Sequence, residues 1–170
     1  MHVHVFAYGS NLCTARLKAR VPSAEPIAVG HVTHRQLVFH KRSEDGSAKA
    51  DARWTGVEHH RVWGVVFRIA DVEKPILDEC EFLGIGYDET EVEVVHESGI
   101  LRSWLYQARE EAIDDSLLPY DWYHDFVVSG AREHRLPTDY LARLKSHAVI
   151  PDPDEERSRQ NRAVIESLID

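Results

Sequence analysis

Residues 6–12, Phe-Ala-Tyr-Gly-Ser-Asn-Leu (FAYGSNL), close one kind of structure and open another. Before them, His2-Val3-His4-Val5-Phe6-Ala7-Tyr8 alternates in the manner of a β-strand. After them, Asn11 to Arg20 (NLCTARLKAR) is rich in helix formers and stops at Val21-Pro22-Ser23. Gly9, Ser10 and Asn11 therefore read as a strand-to-helix turn. Such a turn aims several backbone N–H groups at one spot, which suits a small anion. It reads equally well as an ordinary connection in which Ser10 or Asn11 caps the helix.

Working outward, residues 30–41 (GHVTHRQLVFHK) read as one strand and residues 42–51 (RSEDGSAKAD) as a polar turn or mobile loop around Asp45-Gly46-Ser47. Residues 60–70 (HRVWGVVFRIA) are β-branched and almost continuously apolar, the mark of a central buried strand. A short helix begins at Asp71, interrupted early by Pro75. Residues 87–97 and 100–108 form a hairpin across Ser98-Gly99. The period then lengthens from two to about 3.6 residues. Tyr123, Phe126 and Val127 share one stripe, and a second helix after Pro137 carries Tyr140, Leu141 and Leu144.

Strands first and helices afterwards predict an α+β fold, a small mixed or antiparallel β-barrel with flanking helices. The organisation expected is one domain over 1–150 and a helical tail over 151–170. In the tail Asp152 is the expected cap and Pro153 the first helical residue. Val164, Ile165, Leu168 and Ile169 make an apolar stripe expected to pack on the barrel or on a second copy of the chain, so a homodimer is left open.

The 170 residues, 43% of them hydrophobic, suffice for one core. The formal charge of -9 argues against a nucleic-acid partner. No run approaches 18 apolar residues, so no membrane is expected, and the default address is the cytoplasm. Cys13 and Cys80 form no C-x-x-C pair and read as small buried hydrophobes. Eleven histidines raise the possibility of a metal site, yet His2 with His4, His31 with His34 and the His59-His60 pair fit no zinc signature. No nucleotide loop and no G-x-S-x-G elbow is present, and neither metal nor organic cofactor is expected.

Carboxylates interrupt the apolar run ILDECEFL at 76–83. In a helix, Ile76, Leu77, Cys80 and Glu81 would share a face while Asp78 and Glu79 turn away. Desolvation there would make Glu81 a proton shuttle near neutral pH. The plainer alternative is a half-exposed acid paired with an arginine or lysine.

The ordered set FAYGSNL with Arg16 and Arg20, FHKRSEDGSAKAD at 39–51, VWGVVFRI at 62–69, LDECE at 77–81, Gly86-Tyr87 and YHDFVVSGAREHRLPTDYL at 123–141 resembles the γ-glutamylcyclotransferase (AIG2-like) family. The match runs over about residues 5–145. The resemblance implies a small barrel and an enzyme that cyclises a small-molecule γ-glutamyl substrate to 5-oxoproline, releasing an amine or amino acid. It implies that Tyr8, Gly9, Ser10, Asn11 and Leu12 cradle the glutamyl group through N–H groups of Gly9 to Leu12. Glu81 becomes the general acid/base, and Tyr87 and Tyr123 are pocket walls or hydroxyl donors. This sequence departs from the family's pattern in having Phe82 where glycine commonly follows the glutamate, beside Cys80. Selectivity for the leaving group would lie in pocket shape and loops such as 42–51. The rival from another class is a non-catalytic small-molecule binding or interaction module on the same barrel.

Overall fold

The alternating start of the chain forms β1 (His2–Ala7), which buries Val5, Phe6 and Ala7 and pairs antiparallel with β5 (Arg61–Ala70), Phe6 opposite Val66. The computed structural model describes residues 1–168. Along its other edge β5 pairs with β2 (Glu25–Thr33), and β2 meets β6 (Tyr87–His96) at Gly30 and His31. β6 pairs throughout with β7 (Gly99–Ala108), and a parallel contact of Val5 with Trp104 closes the five-stranded barrel in the order β1-β5-β2-β6-β7. Central β5 explains its own apolar run: Val62, Val65, Val66, Phe67 and Ile69 are all fully buried.

The stretch expected to be one strand at 30–41 is two. His34 takes a left-handed conformation (φ 62°), and its carbonyl accepts the N–H groups of Thr55 (2.8 Å) and Gly56 (3.3 Å). The chain thereby leaves the barrel after β2 and starts β3 (Arg35–Arg42), which pairs with β4 (Ala48–Trp54) in a separate hairpin. The loop expected at 42–51 shrinks to a turn over 43–47, held by Asp45 Oδ1 accepting from the Ser47 N–H (2.9 Å) and hydroxyl (2.6 Å). Ala48, Ala50 and Ala52 are buried at 0–1% exposure, so small residues let this hairpin lie close on the core.

Among the described residues five α-helices flank the sheets: α1 (Thr14–Arg20), α2 (Lys74–Cys80), α3 (Asp121–Glu133), α4 (Thr138–Lys145) and α5 (Glu155–Glu166). Pro75 sits in the first turn of α2, where its missing N–H costs nothing, rather than interrupting the helix. α3 packs on the turn after β1 at Gly130. A Cβ there would stand 2.4 Å from the Leu12 carbonyl carbon and 2.5 Å from the Cys13 nitrogen, so only glycine permits the approach.

The cap of α5 is Asp154, which accepts from the Arg157 N–H at 3.0 Å, and not Asp152. Asp152 is buried instead, accepting from Trp122 Nε1 (2.7 Å) and from Arg157 Nε (2.7 Å), which ties the tail to α3. Arg162 adds ion pairs to Asp121 (2.8 Å) and Asp125 (2.9 Å). The expected apolar stripe is only weakly buried: Ile165 packs against the core, whereas Val164 and Leu168 are 41% and 44% exposed. Charge, not the stripe, docks this helix. Ile169 lies outside the described residues. Among those described, no helix is long and apolar enough to cross a membrane.

Candidate functional site

After β1 the chain makes a single tight turn over Ser10–Leu12 before α1. Neither Ser10 nor Asn11 caps that helix; Cys13 occupies the position and gives no side-chain bond. Their side chains turn elsewhere. Ser10 Oγ accepts from Arg16 Nε (3.2 Å), and Asn11 Nδ2 donates to Glu81 Oε1 (2.8 Å). Arg20 closes the ring, donating to Asn11 Oδ1 (3.1 Å) and to Glu81 Oε1 (2.9 Å). The N–H groups of Gly9, Ser10 and Asn11 find no partner among the described residues, while that of Leu12 bonds the Gly9 carbonyl at 3.0 Å. Of the four N–H groups expected to form the cradle, that of Leu12 is therefore engaged within the turn itself.

Glu81 is not on a helix face. α2 ends at Cys80, and Glu81 caps it, with the Phe82 N–H bonded to the Glu79 carbonyl and the Leu83 N–H to the Asp78 carbonyl, each at 3.0 Å. That bonding is a Schellman stop, which demands a left-handed residue at Phe82. Phe82 has φ 52°. It takes the conformation that glycine would take freely, so the turn presenting Glu81 survives the replacement at a conformational cost of about 1–2 kcal/mol. The helix-face expectation also fails at its other members. Of the residues named for the inward face Leu77 alone is fully buried, Ile76 is 47% exposed, and Cys80 is half-buried while Cys13 is buried. Asp78, expected to turn away, accepts the Tyr106 hydroxyl at 2.6 Å and pairs with Lys74, fastening α2 to β7.

Glu81 is placed both against an arginine and against a cavity. The side chain is 16% exposed and paired with Arg20, yet it lines an inner cavity of about 40 Å³. Tyr8, Gly9, Ser10, Asn11, Tyr87, Tyr106 and Tyr123 line it too, and Glu81 is its one carboxylate among the described residues. Tyr87 and Tyr123 straddle the Ala50 peptide: the Tyr87 hydroxyl donates to its carbonyl (2.7 Å), and the Tyr123 oxygen accepts from its N–H (3.0 Å). The Tyr8 hydroxyl donates to the Tyr106 carbonyl. The Tyr8 and Tyr87 hydroxyls are thus engaged as donors, whereas the Tyr123 oxygen is engaged as an acceptor. Burial pushes all four phenols above their ordinary range, so they stay protonated at neutral pH.

Glu81, Ser10, Tyr87 and Tyr123 also border an outer vestibule of about 200 Å³, whose remaining walls include Arg16, Arg20, Lys41, Lys49, Asp45 and Phe82. Sequence reasoning singled out neither Lys41, at the end of the strand expected over 30–41, nor Lys49, in the polar turn or loop expected over 42–51, because charge beside a polar stretch reads as solvated. It also missed the brace beneath β4. Asp51, 1% exposed, bonds His40 Nε2 (2.7 Å) and the Ala108 N–H (2.9 Å), joining the hairpin to β7. No metal-binding group of three or more His, Cys, Asp or Glu side chains occurs among the described residues.

A model of the AIG2-like family matches residues 61–144. Human γ-glutamylcyclotransferase is 32% identical over 152 residues, spanning 83% of this chain and 76% of that one. This chain belongs to the γ-glutamylcyclotransferase family. The mouse γ-glutamylcyclotransferase is 33% identical with the same coverage. A solved structure of a γ-glutamyl cyclotransferase has the same fold, with a TM-score of 0.83 and 26% identity over 96% of this chain and 99% of the other. Family membership and the closed barrel with flanking helices agree with what the motifs implied.

Proposed function

We propose that the protein is a γ-glutamylcyclotransferase, converting a γ-glutamyl amino acid or amine to 5-oxoproline with release of the amine. The observation that carries this is Glu81, the single carboxylate lining the inner cavity among the described residues, held by Asn11 from the very turn whose Gly9, Ser10 and Asn11 line the same cavity. The glutamyl carboxylate rests on the N–H groups of Gly9, Ser10 and Asn11. The substrate's own α-amine attacks its γ-carbonyl carbon, forming the ring C–N bond as the side-chain amide C–N bond breaks. Glu81 takes a proton from the attacking amine and returns one to the leaving nitrogen. Because the nucleophile is tethered, holding the folded-back conformer captures several kcal/mol of the barrier. Tyr123 donates to the developing oxyanion, and Tyr8 and Tyr87 shape the wall behind it.

Incubation with a panel of γ-glutamyl dipeptides and γ-glutamyl amines, read by mass spectrometry for 5-oxoproline, tests the proposal. Enzyme-dependent 5-oxoproline from at least one member is expected; none from any overturns it, and an unchanged panel that still binds points to the non-catalytic module.

A further inference from the structure

The vestibule outside Glu81 is charged against the trend of the molecule. In a chain of formal charge -9, four cations face two carboxylates there, Glu81 and Asp45. Arg20 is matched with Glu81, and Lys49 with Asp45 at 2.8 Å. Arg16 and Lys41 have no acidic partner within 4 Å among the described residues. The Arg16 guanidinium lies 4.5 Å from the Phe126 ring centre and reaches Ser10 by Nε alone, leaving its other nitrogens without a protein acceptor among those residues. Lys41 is only 7% exposed, and its ammonium is 4.9 Å from the Tyr87 ring centre and 5.9 Å from that of Phe82, with no hydrogen-bond acceptor among the same residues.

Lys41 is also placed there at a cost. Across the hairpin it is paired directly with Lys49, a like-charge juxtaposition that destabilises a sheet. The strand irregularity between Phe39 and Lys41 re-aims the chain at this point. Room for the ammonium comes from Gly86, where a Cβ would stand 2.5 Å from Lys41 Cε and 2.7 Å from Nζ. Burial lowers the pKa of Lys41 and brings that of Arg16 down to about 10, the consequence of drying a cation that lacks an anion.

We infer that Arg16 and Lys41 form a carboxylate subsite that selects an acidic amino acid as the leaving group of the γ-glutamyl substrate. The inference rests on the cyclotransferase reading, in which the glutamyl group occupies the cradle and the leaving group occupies the vestibule. A leaving amino acid brings its α-carboxylate; a second, side-chain carboxylate matches the second unpartnered cation. A neutral side chain leaves one of the two unmatched, and a cationic amine meets repulsion.

The test compares γ-glutamyl-glutamate with γ-glutamyl-glutamine, which differ by one charge at equal size. A kcat/KM roughly tenfold or more higher for the acidic substrate is expected, expressed mainly in KM. Lys41→Gln should shrink that ratio toward one. Gly86→Ala should do the same while keeping the lysine, since it displaces only the flexible end of the side chain. Equal kcat/KM for the two substrates in the wild-type protein overturns the inference. Calorimetric binding of both dipeptides to the Glu81→Gln protein separates the two proposals. If the wild-type protein forms 5-oxoproline from no member of the panel, the cyclotransferase reading fails, while tighter binding of the acidic dipeptide that is lost on adding Lys41→Gln still supports the subsite; equal binding, none, or a preference that Lys41→Gln leaves intact overturns it.

Discussion

Phe82 offers the sharpest test of how the site is built. Its left-handed backbone costs about 1–2 kcal/mol relative to glycine. Against this, the residue is 44% exposed, so removal of its ring forfeits about half the burial energy of a phenylalanine, about 1 kcal/mol. The Lys41 ammonium at 5.9 Å adds about 0.5 kcal/mol at such an exposed position. Phe82→Ala loses both contributions and keeps the strain, so it should destabilise by about 1.5 kcal/mol. Phe82→Gly loses the same contacts and about 0.5–1 kcal/mol more through unfolded-state freedom, but regains the strain, for a net loss near half that of alanine. For a chain of this length the difference corresponds to about 2–3 °C in Tm, with glycine the more stable variant. Thermal melting of the three proteins decides it. Alanine equal to or more stable than glycine would refute the claim that the Schellman turn presenting Glu81 strains this residue.

Gly130→Ala should push α3 off the Leu12–Cys13 backbone, costing about 1–3 kcal/mol in thermal stability and lowering 5-oxoproline turnover together; loss of neither would separate α3 from the cradle. Asp152 is held below the usual carboxylate range, first by its bonds to Arg157 and then by the Asp154 N–H and Trp122. Its contribution is therefore present above about pH 4, the unfolded value, and is lost as pH falls toward the depressed one. Asp152→Asn should melt below the wild type at pH 7, with the gap closing below pH 4; a gap independent of pH would contradict the assignment.

What could be read from the residues follows from which forces leave a pattern. β5 and the β6–β7 hairpin were legible because burial on two faces makes a continuous apolar run and burial on one face makes alternation. The β3–β4 hairpin was not. The buried apolar residues of β4 are Ala48, Ala50 and Ala52, which carry no strand signature, and the break before the hairpin rests on a left-handed histidine that no local rule announces. At the tail the cap was expected at Asp152, but Trp122 and Arg157 engage that carboxylate and Asp154 caps the helix instead. Glu81 does line the cavity, though not by the expected local route: a helix face was expected, and a helix stop delivers it. The lysines of the vestibule escaped notice because charge beside a polar stretch looks solvated until the fold buries it.

The central claim is that Glu81 moves the proton between the two nitrogens. Glu81→Gln keeps the side chain's size and can still accept from Asn11 and Arg20, but it cannot exchange a proton, while the exposed Glu79 one turn-edge away supplies Glu79→Gln as the control. Single-turnover 5-oxoproline formation at saturating substrate is the measurement. A fall of roughly 10² to 10⁴ for Glu81→Gln, with substrate binding retained and Glu79→Gln near wild type, is the expected result. A folded Glu81→Gln protein that forms 5-oxoproline at the wild-type rate would contradict it.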